Sequence, residues 1–226
     1  MSLKKLLMTG VASAVLSSSL FGAKLTAIKT TIAEEAFQMH IVSEVLKKMG
    51  HEVEITNDIN YDIAYQTLAN NADGESIHFL ASAWFPLHDS KYEAVKDKVK
   101  KFQGNFVANC AQGYLVDKKT AQKYDIKYIN DLKDPKIAKL FDLDDNGKAD
   151  LAGCNAGWGC EKVIEHQLDA FNLRSTIQHN QGEYSAVIAD TIANYKSGKP
   201  VLYYTWTPYW VSGKLVPGKD VVFLQV

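Results

Sequence analysis

The chain has 226 residues, 46% of them hydrophobic and 23% charged, enough for one large domain or two small ones around a substantial core. Its formal net charge of −1 argues against nucleic acid or an anionic membrane surface as a partner.

Residues 1–23 read as a secretory leader. Lys4 and Lys5 precede an apolar, small-residue run from Leu6 to Phe21, and Gly22-Ala23 offers a cleavage point. Thr9, Gly10 and several serines interrupt the run, which argues against a retained membrane anchor. Export follows as the expectation, to an environment where Cys154 and Cys160 can pair. Cys110, in the apolar run Phe106–Ala111, is left over and is expected as a buried free thiol.

Leu25 to Thr30 is predicted as a strand. Glu34 to Met49 is predicted as a helix with Phe37, Ile41, Val42, Val45, Leu46 and Met49 on its apolar face. Thr31 with Glu34 three residues on has the pattern of a capping box, and Gly50 stops the helix. Glu52 to Ile55 alternates as a strand, and Tyr61 to Ala69 reads as a second helix. Ile77 to Ala83 is a near-continuous apolar strand that ends at Trp84-Phe85-Pro86-Leu87-His88-Asp89. This strand–helix alternation implies an α/β layer with a parallel sheet. Trp84 and His88 fall just past a strand's carboxyl end, where such sheets bind ligands.

A lysine-rich amphipathic helix over 92–102, a strand over 106–116, a helix over 118–124 and a helical turn through Leu140 are expected next. Asp142, Asp144, Asn146, Gly147 and Asp150 then match the front of a calcium loop, D-x-D-x-N-G with an acid at the ninth place. The twelfth place is Gly153, where a bidentate Glu is usual, so a plain acidic turn competes with the metal reading.

Gly153-Cys154-Asn155-Ala156-Gly157-Trp158-Gly159-Cys160-Glu161 joins that loop to a helix over 161–171. Glycines let backbone approach a ligand closely, and the Gly159 and Cys160 amides would open the helix at its positive dipole end. The turn thus offers an indole face beside an anion cradle, which suits a small zwitterion. Read alone, the turn favours a disulfide-closed loop with a packed tryptophan over a binding turn. A helix over 184–195 and a buried strand over 200–205 lead to Trp206-Thr207-Pro208-Tyr209-Trp210, and a strand over 221–226 completes the sequence. Trp206 and Trp210 compete for one ligand position, since Pro208 argues against a helix that would let both share a face.

Trp84, Trp158 and Trp206 therefore all sit near strand or helix ends. Three facing rings suit a quaternary ammonium, at roughly 0.5–2 kcal/mol of cation–π attraction each. Lysine or arginine ligands would demand carboxylate partners, which this constellation lacks.

The motifs Trp84–Asp89, Ala111–Leu115, Asp134–Asp142, Gly153–Glu161 and Tyr203–Trp210, in this order, resemble the ProX family, the periplasmic glycine betaine/proline betaine-binding proteins of ATP-driven osmoprotectant importers. The resemblance implies a two-lobed, type II-like α/β binding protein, each lobe a mostly parallel sheet flanked by helices. Residues 24–105 would form lobe one and 106–226 lobe two. It further implies that Trp84, Trp158 and Trp206 surround the ammonium, with Trp210 expected as a packing residue, and that His88 with the Gly159 and Cys160 amides holds the carboxylate. Cys154 and Cys160 match the disulfide that shapes the turn, and the expected partners are betaine or a similar zwitterion and a membrane permease, with no cofactor. The family's chain continues past the last strand back into the first lobe, so an incomplete first lobe is expected. Two rival readings stand beside this one: a hydrolase with Cys160 as nucleophile and His88, His166 or His179 as base, and a calcium-binding module built on 142–150.

Overall fold

A computed structural model describes residues 22–226; the expected leader falls outside the described residues as far as residue 21. Two sheets organise the chain. The first is built from β1 (Lys24–Ala27), α1 (Ala33–Lys48), β2 (Glu52–Ile55), α2 (Tyr61–Asn70) and β3 (Ile77–Phe79). Its strand order is β2-β1-β3, all parallel, with Leu25 opposite Val53 on one side and Ile77 on the other. Each helix is the crossover that parallel neighbours require. The short α3 (Asp89–Glu93) follows.

The second sheet takes β4 (Ala111–Asp117), α4 (Lys118–Tyr124), α5 (Pro135–Ala138), β5 (Ala149–Ala152), α6 (Gly159–Ala170), β6 (Ile177–Asn180), α7 (Tyr184–Lys196), β7 (Leu202–Thr207) and β8 (Val221–Phe223). The order is β6-β5-β7-β4-β8. β5 runs parallel to β6 and β7, whereas β4 runs antiparallel to β7 and β8. That reversal has a consequence for the site. It sets Gln112 opposite Trp206, so the start of β4 lies at the same end of the sheet as the end of β7. The main core packs around this sheet, with Tyr114, Leu115, Phe141, Leu151, Ile164, Tyr203 and Tyr204 buried in it.

Several expectations are corrected. No side chain caps α1; Ile32 is its N-cap, while Glu34 and Glu35 in the first turn complement the helix dipole. The face that turns inward is Glu35, Met39 and Ser43, and Phe37 and Met49 are 66% and 65% exposed, with Ile41 and Val45 between them also exposed. Both sets repeat every four residues, so periodicity alone could not say which one faces the sheet. The helix expected over 92–102 stops at Glu93. Beyond it Val95 is buried and Val99 partly so, too few apolar anchors to hold a longer helix.

The strand expected from Phe106 starts at Ala111, where β7 first supplies a partner; Phe106 and Val107 are exposed. Cys110, expected to be buried, is an exposed free cysteine for the same reason. Trp206 lies within β7 rather than beyond it, and Trp210 is 40% exposed rather than packed. Short β5 and β6 had no signal of their own in the sequence. Among the described residues no helix is long and apolar enough to cross a membrane.

Candidate functional site

Segments from both sheets converge on a cavity of about 160 Å³. The loop after β3 contributes Trp84, Phe85, Leu87 and His88, and the start of β4 contributes Ala111 and Gln112. The turn into α6 contributes Trp158, Gly159 and Cys160, and β7 contributes Trp206. All six residues expected at a ligand thus line one space.

Three indoles form its aromatic wall. Trp84 meets Trp206 with ring centroids 6.4 Å apart at 67°, and Trp158 meets Trp206 at 6.0 Å and 69°. Tyr209 and Tyr184 pack on Trp206 with centroids at 4.5 and 4.9 Å. The Tyr184 hydroxyl lies 2.8 Å from both the Tyr204 carbonyl and Thr205 Oγ1, which fixes that second layer. Trp158 and Trp206 are therefore held by packing before any ligand arrives. This is the geometry in which cation–π contacts cost least to form.

The turn 153–161 is closed at its two ends by the Cys154–Cys160 disulfide. Within it Trp158 N–H donates to Asn155 O at 3.2 Å, and the Glu161 carboxylate accepts from Gly157 N–H at 2.7 Å. Gly157 has φ +83°, a conformation that a side chain would strain. Trp158 becomes the N-cap of α6 without a side-chain cap. The Gly159 and Cys160 amides have no acceptor among the described residues and lie at the positive end of a twelve-residue helix. A Cβ on Gly159 would come within 2.9 Å of Leu87 Cβ, so glycine is what lets the first sheet's loop approach.

His88 is almost fully buried. Its Nδ1 lies 3.2 Å from the Tyr65 hydroxyl and 3.4 Å from the Trp84 amide, both able to donate to it. That leaves the proton on Nε2 as a donor. Burial, reinforced by the Lys91 charge, pushes the His88 pKa down to about 4, so the ring is neutral at neutral pH. A neutral imidazole donor, two helix-end amides and three indoles give the cavity one apolar, aromatic wall and one wall of N–H donors.

One feature escaped the sequence. Glu35 is only 2% exposed and accepts hydrogen bonds from Tyr61 Oη at 2.6 Å, from Trp84 Nε1 and from Thr30 Oγ1. The constellation therefore does include a carboxylate, placed behind Trp84 and outside the cavity lining. Nothing local in the sequence connects positions 30, 35, 61 and 84.

The other candidates lie apart. Asp142, Asp144 and Asp150 bring their oxygens within 4.8 Å of one another. Those oxygens accept from loop groups at the same time: Asp142 from Asn146 and Gly147 amides, Asp150 from the Leu143 amide and Asn180 Nδ2. The sulfur of Cys160 is bonded to Cys154, so the hydrolase reading loses the thiol it names as nucleophile.

A family described as the substrate-binding domain of ABC-type glycine betaine transport systems, OpuAC, matches residues 23–225. The chain belongs to the OpuAC family. Its members are substrate-binding domains, not enzymes. The chain is 51% identical over 221 residues to the glycine betaine-binding periplasmic protein OusX of Dickeya dadantii, across 94% of this chain and 65% of that protein. It is 54% identical over 206 residues to the glycine betaine/proline betaine-binding periplasmic protein of Escherichia coli, across 91% of this chain and 61% of the relative. The chain thus spans less than two thirds of the length of these curated relatives. Among solved structures, a ProX from Borrelia burgdorferi superposes with TM-score 0.70 at 24% identity, covering 89% of this chain and 68% of that one. Lactococcal OpuAC, in its closed-liganded conformation with glycine betaine, superposes with TM-score 0.67 at 19% identity, covering 90% and 71%. These likenesses establish the two-lobed binding-protein fold.

Proposed function

We propose that the chain captures glycine betaine, or a closely similar quaternary ammonium zwitterion, without covalent chemistry, as the periplasmic substrate-binding component of an ABC importer. The observation that carries this reading is the convergence of three indoles, two unpaired helix-end amides and a neutral histidine donor on one small cavity. Trp84, Trp158 and Trp206 would surround the ammonium, whose diffuse charge needs no hydrogen bonds. The Gly159 and Cys160 amides and His88 Nε2 would hold the carboxylate. The names of the curated relatives support both the ligand class and the compartment, with residues 1–23 as the leader.

The lobes are taken as residues 24–105 and 106–226. Trp84 and His88 come from the first, and the remaining four from the second, so full contact requires the lobes to close. Close approach of Leu87 to Gly159 and the 3.2 Å bond from the Trp210 amide to Glu34 Oε1 are features of such closure. A ligand that touches both lobes stabilises the closed arrangement because only there do all its contacts form at once. That arrangement is what a membrane permease would receive.

Calorimetric titration of the purified protein with glycine betaine, with tryptophan fluorescence followed in parallel, tests the reading. The expected outcome is saturable binding with a fluorescence change, and weaker binding of choline, which lacks the carboxylate. Equal affinity for choline and betaine would remove the role given to the Gly159 and Cys160 amides. Absence of betaine binding by folded protein would remove the ligand class.

A further inference from the structure

We propose that Glu35, ionised behind Trp84, is a positioning and specificity residue that makes the aromatic wall select a cation over a neutral group of the same shape. The inference rests on the betaine reading and adds the source of its charge selectivity.

Glu35 sits in the first turn of α1 with its side chain turned inward. All three of its partners are donors: Thr30 Oγ1 to one oxygen, Tyr61 Oη and Trp84 Nε1 to the other. An indole N–H can only donate. Burial, the largest influence, raises the Glu35 pKa above the ordinary carboxylate value and Glu34 adds to it, while the Thr30, Tyr61 and Trp84 bonds work the other way. A cation bound in front of Trp84 is what would tip the group to the carboxylate. What the arrangement lacks is a counter-charge: among the described residues no Lys, Arg or His forms an ion pair with Glu35. Buried charges are ordinarily paired, because the desolvation cost is otherwise too high. The structure places this charge against the edge of the one indole that the first sheet contributes to the cavity. A cation on the cavity side of Trp84 would supply the missing partner.

Two effects follow from the bond. It fixes the Trp84 ring, which is only half-buried and, unlike Trp206, has no second aromatic layer behind it among the described residues. It also draws the indole N–H dipole toward a full negative charge, which leaves the ring face more negative and a better host for a cation. A fixed negative charge a few ångströms behind a low-dielectric wall acts on a cation in front of it far more than it would through water.

The test compares two ligands of one shape. Glycine betaine and 3,3-dimethylbutanoate differ in replacing the quaternary nitrogen by carbon, so they share the carboxylate and the three methyl groups but not the positive charge. In Glu35→Gln, which keeps size and an acceptor but loses charge, betaine affinity should fall about tenfold. Affinity for 3,3-dimethylbutanoate should stay level or rise, so the preference for the cation shrinks by about that factor. Equal losses for both ligands would mean that Glu35 is merely structural, and the proposal would fall while the betaine reading stood. No betaine binding by the unsubstituted protein would remove both. Should Glu35→Gln not fold, the unsubstituted protein still decides: the Trp84 indole proton, identified by its loss in Trp84→Phe, should resonate downfield of the other three in NMR spectra. A Trp84 indole proton at the position of a water-bonded indole overturns the proposal.

Discussion

The two sheets hold their halves of the site by different means. Around the five-stranded sheet, a large apolar cluster runs unbroken from Leu151 and Tyr204 to Trp158 and Trp206, so these indoles are extensions of the core. Around the three-stranded sheet, burial is thinner. Tyr65, Ala69 and Val95 form a small cluster, and α1 presents Phe37, Ile41, Val45 and Met49 to solvent. Trp84 and His88, in the loop after β3, pack on the main core and on Tyr61 respectively, but are oriented by polar bonds, to Glu35 and to Tyr65. Apolar packing locks a ring by shape with little orientation cost, whereas a buried polar network fixes orientation but must satisfy every member. One half of the cavity is therefore a rigid wall and the other is set by hydrogen bonds.

That contrast can be broken at its strongest point first. Leu151→Ala, in the centre of the second sheet, should cost about 2–5 kcal/mol of stability, read as a lowered urea midpoint. A change below 1 kcal/mol would show that the second sheet does not dominate the fold.

The next effect belongs to His88. Its folded-state pKa, about 4, lies below the ordinary value of 6.5, so the unfolded chain takes up its proton first as pH falls. This group's contribution therefore lowers stability progressively from about pH 6.5 to about pH 4, by about 3 kcal/mol at most, and is flat outside that window. Urea midpoints across pH 4–8 should show this slope, and His88→Gln should remove it. An unchanged slope in that variant would mean that His88 titrates normally.

Smaller again is the loss of one ring. Trp158→Ala should weaken betaine binding by at least about 1–2 kcal/mol in calorimetry; unchanged affinity would dispense with the aromatic wall. The smallest effect is expected on the exposed face of α1. Phe37→Ser should change the urea midpoint by no more than about 0.5 kcal/mol equivalent, because the ring is already in solvent. A large loss there would mean that this face is covered in solution.

Much of the site was legible because its residues cluster in short motifs. The glycine–tryptophan turn at 153–161 advertises its own geometry: glycines for close approach, cysteines for closure, a helix start for amides. The carboxylate-holding role of His88 and the choice of Trp206 over Trp210 entered only through the resemblance to ProX proteins, since a lone histidine after a strand has no distinguishing pattern. The exposed Cys110, the shortened α3 and the outward apolar face of α1 were misjudged for a shared reason. Each depends on whether a partner surface exists at that place, and composition says nothing about partners.

The sequence by itself determined the local order of elements in the α/β layer, the bounds of β2 and α4, and the turn that presents Trp158. These rest on periodicity, caps and glycine conformations that act within a few residues. Only the tertiary structure decided that β4 runs against β7, which brings Gln112 beside Trp206, and that Glu35 lies behind Trp84. Strand direction and the burial of a charge are settled by contacts between residues far apart in the chain, where no local preference reaches.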